Sequence, residues 1–299
     1  MKQFLLVYNP LSGDAYFKYK LDEVVQQFQR RGCLVTPVRT ERKEDTNSLV
    51  LLAKEISADG IIISGGDGTV HEVMNAMLEL SIDVPVGIIP SGTSNDFATY
   101  LKLSRDLKQC AEVIARGEVR DVDIGMVNNK YFINVASAGL LTGVAHTADT
   151  LLKNTLGKVA YYLKGIEELP SFRALPMKIT ADGQVLEDDV FLFLVMNSGV
   201  VGSFPNLVPN AAIDDGKLDL LIVNRCRLPE LMRLFICLLT GNHLNQKNVT
   251  YIQAREITIE SPEDLDSDLD GELGPKLPLK IMAVSHRIRV FCSRSNAAK

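Results

Sequence analysis

Ile61-Ile62-Ile63-Ser64-Gly65-Gly66-Asp67-Gly68-Thr69-Val70 is a short β-branched run that enters a turn holding three glycines, an aspartate and a threonine. An amphipathic pattern, with Val70, Val73, Met74 and Met77 on one face, leaves it. Strand, glycine turn and helix in that order make a place for a polyanion. Glycines remove side chains that would hold phosphate away from the backbone. The helix start offers free N–H groups and the positive end of its dipole. Asp67 adds a carboxylate where a nucleotide's metal ion would sit. The stretch reads as a nucleotide site.

Working outward, the same alternation fills the first third of the chain. Phe4-Leu5-Leu6-Val7-Tyr8 is a strand stopped by Asn9-Pro10, and Phe17, Leu21, Val24, Val25 and Phe28 fall on one helical face. Leu34–Val38 is a second strand, Leu49, Leu52, Ala53 and Ile56 mark a second helix, and Val86–Ile89 is a further strand. Alternation with short connections predicts a parallel sheet covered on both faces. Ligands on such sheets bind beyond the carboxyl ends of the strands. The polar turns at 9–13, 64–69 and 90–96 all follow strands, so they are expected to meet at one edge.

After about residue 120 the texture changes. Asp121–Val127 and Lys130–Val135 read as a hairpin around Asn128-Asn129. β-like runs follow at Met177–Thr180, Val190–Met196, Leu218–Val223, Glu256–Ile259, Leu279–Val284 and Ile288–Phe291, with helical stretches near 140–168 and 228–241. The expected class is α/β: an N-terminal Rossmann-like nucleotide-binding domain over 1–122, then a C-terminal antiparallel β-sandwich domain over 123–299.

Composition narrows the classes. The 299 residues suit two domains, and 46% hydrophobic with 23% charged residues describes an ordinary soluble protein. A net charge of -5 gives no basic field, which argues against nucleic acid as the main partner. Five scattered cysteines without a C-x-x-C pair read as reduced thiols. The four histidines lack metal-ligand spacing, so zinc is not expected. No apolar stretch approaches the ~20 residues of a membrane span, and the apolar run at 2–8 ends too early for a signal peptide. A cytoplasmic protein is expected.

Gly65–Thr69 followed by Pro90-Ser91-Gly92-Thr93-Ser94-Asn95-Asp96-Phe97-Ala98 resembles the diacylglycerol kinase catalytic family, and within it the small bacterial lipid kinases. Asn9-Pro10-Leu11-Ser12-Gly13 is similar to that family's first nucleotide loop. Ile213-Asp214-Asp215-Gly216-Lys217-Leu218-Asp219 resembles its metal-binding segment, and Asp270-Gly271-Glu272 its catalytic one. The order and spacing of the five segments match over nearly the whole chain. The resemblance implies an ATP- and Mg-dependent lipid kinase that moves the γ-phosphate to a hydroxyl of diacylglycerol or a similar lipid. It implies that Asn9, Pro10, Ser12, Gly13, Thr40, Gly65, Gly66, Asp67, Gly68, Thr69 and Thr93 contact ATP. It further implies Mg²⁺ on the Asp215 side chain and the carbonyls of Ala212 and Lys217, with Glu272 as general base and Asp67 beside the metal. The implied partner is a lipid at the membrane surface, met by a cytoplasmic enzyme that associates peripherally during turnover; a homodimer stays open. Two departures stand out. The family often has a basic residue after the first Ser-Gly, where this chain has Asp14, leaving Lys18, Lys20 or, best placed by resemblance, Lys164 to serve the phosphates. The glycine turn continues as Val70-His71 rather than with a small polar residue.

Other readings were weighed on the residues. The acidic run Glu263–Glu272 places Asp266, Asp268, Asp270 and Gly271 like an EF-hand loop, but position twelve is Leu277 where a bidentate Glu is required. Apart from Glu272 and Asp270, the run is expected to be a solvated loop. Leu228–Leu239 is too short to span a bilayer and reads as a core helix; it or the stretch near 140–163 is the candidate border of a lipid entrance. A Walker P-loop and the G-x-G-x-x-G fingerprint are both missing. An NAD kinase-like enzyme and a nucleotide-binding regulator without turnover are the rival functions.

Overall fold

The computed structural model describes residues 1–139, 173–204 and 207–293. The chain divides into two compact units. One comprises Met1–Ile124, Val200–Pro205 and Ser285–Lys299; the other comprises Gly125–Gly199 and Asn206–Val284.

The first unit is built on four parallel strands: β1 (Lys2–Tyr8), β2 (Cys33–Arg39), β3 (Gly60–Gly65) and β4 (Val86–Pro90). Their order in space is β4-β3-β1-β2. β3 is buried at every residue, as a strand covered on both faces must be. Each fully buried isoleucine of 61–63 contributes roughly 1.5–3 kcal/mol. Helices α1 (Leu21–Gln29) and α5 (Leu107–Arg116) lie together and bury Val24, Phe28, Cys110, Ala111 and Ile114 with Phe4, Leu6, Ile62 and Ile89. Helices α2 (Thr46–Glu55) and α3 (Asp67–Glu79) pack together likewise. The short α4 (Asp96–Tyr100) follows the β4 turn. α5 starts on the Asp106 carboxylate, which accepts from the Gln109 N–H at 2.9 Å, and ends at Gly117 in the left-handed region. The helix expected around Phe17–Phe28 begins with a 3-10 turn at Phe17–Lys20 before α1.

The second unit is antiparallel. Its spine is β9 (Gln184–Met196), whose first half pairs β8 (Leu175–Ala181) and whose second half lies between β7 (Val135–Gly139) and β10 (Leu218–Asn224). β11 (Val249–Ala254) pairs β10, and β12 (Glu256–Glu260) pairs β8. β13 (Asp266–Leu269) joins β7 to β14 (Glu272–Lys276). The core is aliphatic, with Phe193, Val195, Leu218, Leu220, Ile257 and Ile281 among its members. Asn128-Asn129, Asp182-Gly183 and Asp270-Gly271 all have positive φ at both residues and close two-residue hairpin turns.

Several elements differ from expectation. In the hairpin of β5 (Val119–Val127) and β6 (Lys130–Phe132) the second strand stops at Phe132, because the N–H groups of 133–135 turn to the Asp270 carboxylate. The acidic run is not a solvated loop: β13 lies within it, with Ser267, Asp268 and Leu269 buried. The two runs at 279–284 and 288–291 form one strand, β15 (Leu279–Phe291). Continuity survives at His286, φ 51°, whose N–H donates to Asp123 at 2.7 Å. Helix α6 (Leu228–Leu239) is not a core helix. None of its described side chains is buried, Ile236 is 55% and Leu239 40% exposed, and the helix packs against the single turn His243–Asn245. The helix expected near 140–168 lies outside the described residues.

Candidate active site

β1, β3 and β4 are parallel neighbours, so their carboxyl ends share one edge and the turns that follow lie side by side. The Asn9 N–H donates to the Ser64 carbonyl at 2.9 Å, and its Nδ2 reaches Thr69 Oγ1 at 3.3 Å. The Asn9 side-chain oxygen accepts from the Leu11 N–H at 2.9 Å, which shapes the first turn. Thr40 donates its N–H to the Tyr8 carbonyl at 3.0 Å. Ser91 donates its N–H to the Gly65 carbonyl at 3.1 Å, and the Ser64 and Ser91 hydroxyls are 3.2 Å apart. Asn95, at φ 54°, closes the third turn on Gly92, accepting from its N–H at 2.8 Å and donating to its carbonyl at 2.6 Å.

The glycines divide into two kinds. A Cβ on Gly92 would stand 2.3 Å from Gly66 Cα, one on Gly13 2.3 Å from the Ser91 carbonyl oxygen, and one on Gly65 2.3 Å from Thr69 Cβ. Gly92 and Gly13 let neighbouring turns interlock, while Gly65 lets its own turn close on Thr69. Gly68, in the first turn of α3, has nothing within 4 Å of the Cβ position. Gly68 is therefore the glycine of this turn that leaves space for a ligand rather than for a neighbouring loop.

Asp67 opens α3, and its Oδ1 accepts from the Phe97 N–H at 3.4 Å. Asp96, which the sequence reading did not single out, is a further candidate. It is 7% exposed, and its carboxylate accepts from the N–H groups of Gly202 at 2.5 Å and Ser203 at 3.0 Å. Burial, and then the negative charge of Asp67, push its carboxyl up to about 6 against the pull of those two N–H groups. The charge of Asp67 thus disfavours a second charge on Asp96. The sequence signal was available in the Pro90–Ala98 segment, but burial against 202–203 could not be read from it.

Pro10 is buried, Ser12 half-buried, and Thr93 exposed with its carbonyl accepting from Arg105 Nη2 at 3.2 Å. Lys164 lies outside the described residues. In the second unit Asp215 is exposed and its carboxylate accepts from the Lys217 N–H at 2.9 Å, closing the turn before β10, with Ala212 half-buried upstream. Asp219, buried on β10, is held by Tyr251 at 2.5 Å and Gln253 at 3.0 Å; burial raises its carboxyl above the usual range. Glu272 is half-buried at the start of β14, directly after the turn Asp270-Gly271. Among the described residues no group of three His, Cys, Asp or Glu side chains could hold a metal. The Asp215 set, with one carboxylate and two carbonyls, is a different kind of donor set.

The model of the diacylglycerol kinase catalytic domain matches residues 3–127. A diacylglycerol kinase of Bacillus subtilis is 37% identical over 298 residues, covering 99% of this chain and 98% of its own. The chain belongs to the diacylglycerol kinase family of lipid kinases. A second model, the YegS C-terminal NAD kinase beta sandwich-like domain, matches residues 134–292. A Staphylococcus haemolyticus diacylglycerol kinase is 38% identical over 285 residues, 95% of this chain and 86% of its own. The chain is also similar to a solved structure of a diacylglycerol kinase from Bacillus anthracis, with a TM-score of 0.76, 25% identity and 98% of both chains covered. A second Bacillus anthracis structure, provisionally described as a diacylglycerol kinase, gives a TM-score of 0.83 at 29% identity over 98% of this chain and 96% of the other. With the α/β first unit and the antiparallel second, these likenesses agree with the expected fold class.

Proposed function

We propose that this kinase moves the γ-phosphate of Mg-ATP to a hydroxyl of diacylglycerol or a closely similar lipid. The observation that carries the reading is the edge where the turns after β1, β3 and β4 interlock, with the Gly68 position left open at the start of α3. Backbone N–H groups in the first turn of α3 and the nearby turns bind the triphosphate, and Asn9, Ser12, Thr40, Thr69 and Thr93 orient it. Asp67, with Asp96 beside it, would hold a Mg²⁺, which would supply charge neutralisation at the phosphates. Asp215, with the carbonyls of Ala212 and Lys217, would hold a second Mg²⁺, and Lys164 would serve the phosphates. Glu272 takes the proton from the lipid hydroxyl as its oxygen bonds to the γ-phosphorus. The bond from that phosphorus to the β-phosphate oxygen breaks, and ADP leaves. The protein contributes alignment and charge neutralisation, which is most of what phosphoryl transfer needs.

Among the described residues no helix is long and apolar enough to cross a membrane. A diacylglycerol substrate resides in a bilayer, and the exposed Ile236 and Leu239 of α6 suit contact with its surface. Because the second unit resembles an NAD kinase β-sandwich, NAD is the rival acceptor. Mass spectrometry of products formed from Mg-ATP with a total lipid extract, and in parallel with NAD, separates the two. One phosphate gained on diacylglycerol, and lost when EDTA is added, is the expected result. Phosphorylated NAD with unchanged lipids would overturn the assignment.

A further inference from the structure

We propose that Asp270 is a positioning residue that fixes the Glu272 carboxylate for proton transfer, an inference that rests on the reading of Glu272 as the base. The hairpin between β13 and β14 is as tight as a hairpin can be: Leu269 pairs directly with Glu272, and Asp270 and Gly271, with φ of 55° and 92°, make the turn. Glu272 follows this tip directly, so its position depends on how the tip is held. Here the tip is bound from three sides. Asp270 Oδ2 accepts from the Ile133 N–H at 2.6 Å, and Oδ1 from the N–H groups of Asn134 at 2.9 Å and Val135 at 2.8 Å. The Asp270 N–H returns a bond to the Val135 carbonyl at 2.9 Å. Asp268, buried one residue before Leu269, accepts from the Gly271 N–H at 2.9 Å.

The segment that receives Asp270 is itself rigid. Asn197 donates its Nδ2 to the Ile133 carbonyl and its N–H to the Asn134 carbonyl, both at 2.9 Å. The Ser198 hydroxyl donates to the Asn134 side-chain oxygen. Asn134, Asn197 and Ser198 are all buried. One carboxylate thus couples the turn carrying Glu272 to a buried polar platform at the end of β9. Charge-assisted bonds of this kind are stronger than neutral ones and directional. The same side chain on a solvated hairpin would leave Glu272 to find its hydroxyl by diffusion of the tip.

The test is a double-mutant cycle on steady-state lipid phosphorylation, with thermal melts on every variant. Asp270→Ala removes all three acceptor contacts; Asp270→Asn keeps one oxygen and guards against a variant that fails to fold. Turnover is expected to fall roughly 10- to 100-fold for Asp270→Ala and less for Asp270→Asn, with the KM for Mg-ATP unchanged. In a Glu272→Ala background, either Asp270 change is expected to cost less than about twofold, because the group it positions is gone. Loss by the same factor in both backgrounds, or wild-type turnover in folded Asp270→Asn and Asp270→Ala, would overturn the placement. If Glu272→Ala itself turned over at the wild-type rate, the base reading would fall, and the placement with it.

Discussion

In the first unit the candidate site is held by backbone meeting backbone: Gly92 sits against Gly66, Gly13 against the Ser91 carbonyl, and the Asn9 and Ser91 amides tie the turns together. In the second unit the Glu272 hairpin is held by side chains, chiefly Asp270 and Asp268, on a platform of Asn134, Asn197 and Ser198. The difference matches the work proposed for each half. A triphosphate needs close approach to main-chain donors, which glycine permits and side chains obstruct. A base needs one carboxylate in one place, which hydrogen-bonded side chains supply. Backbone sites should therefore fail when atoms are added, and side-chain sites when atoms are removed.

The largest effect on the first half is expected from Gly92→Ala. Its Cβ would press on Gly66 Cα, a backbone atom that cannot step aside. Urea unfolding should show a loss of about 1–3 kcal/mol, together with loss of Mg-ATP binding. Wild-type stability and affinity would break the comparison at its firmest contact.

Asp96→Asn sharpens it next. Its carboxyl sits at about 6 in the fold against 3.8 unperturbed, so the protonated form is favoured by folding. That contribution is full below the unfolded value and is lost as pH rises through about 6. In EDTA, the stability of Asp96→Asn relative to wild type should rise between pH 5 and 7.5 by about 1.4 kcal/mol. A difference flat in pH would contradict the burial of Asp96 beside Asp67.

Gly68→Ala should show the smallest effect on stability and the clearest separation. The position is open and helical, so alanine is expected to leave folding unchanged or stabilise it by about 1 kcal/mol. Isothermal titration should nonetheless show weakened Mg-ATP binding. Unchanged affinity would mean that Gly68 does not face the nucleotide.

The same division explains what could be read from the sequence. The strand-turn-helix at 60–79 was legible because a buried β-branched run and a glycine cluster each have one common structural meaning. The companion turns at Asn9–Gly13 and Pro90–Asp96 followed by the same logic. What the glycines of those turns do was not legible: the sequence suggests clearance for phosphate at all three of Gly65, Gly66 and Gly68, yet only Gly68 is open space. The β13–β14 hairpin was hidden by its charge. An acidic run resembles a solvated loop, and only the Asp-Gly dipeptide flanked by Leu269 and Glu272 signalled a two-residue turn. Asp270 and Asp96 owe their roles to partners more than a hundred residues away, a relation no local pattern encodes. α6 misled in the opposite direction, since an apolar helix is ordinarily a buried one.

The account depends most on Glu272 acting in the chemical step rather than in nucleotide binding. Single-turnover transfer of labelled γ-phosphate from Mg-ATP to diacylglycerol in mixed micelles, with Glu272→Ala beside wild type, measures that step alone. A rate about 10²- to 10⁴-fold slower at unchanged Mg-ATP affinity is predicted. Transfer at the wild-type rate, from folded Glu272→Ala, would contradict it.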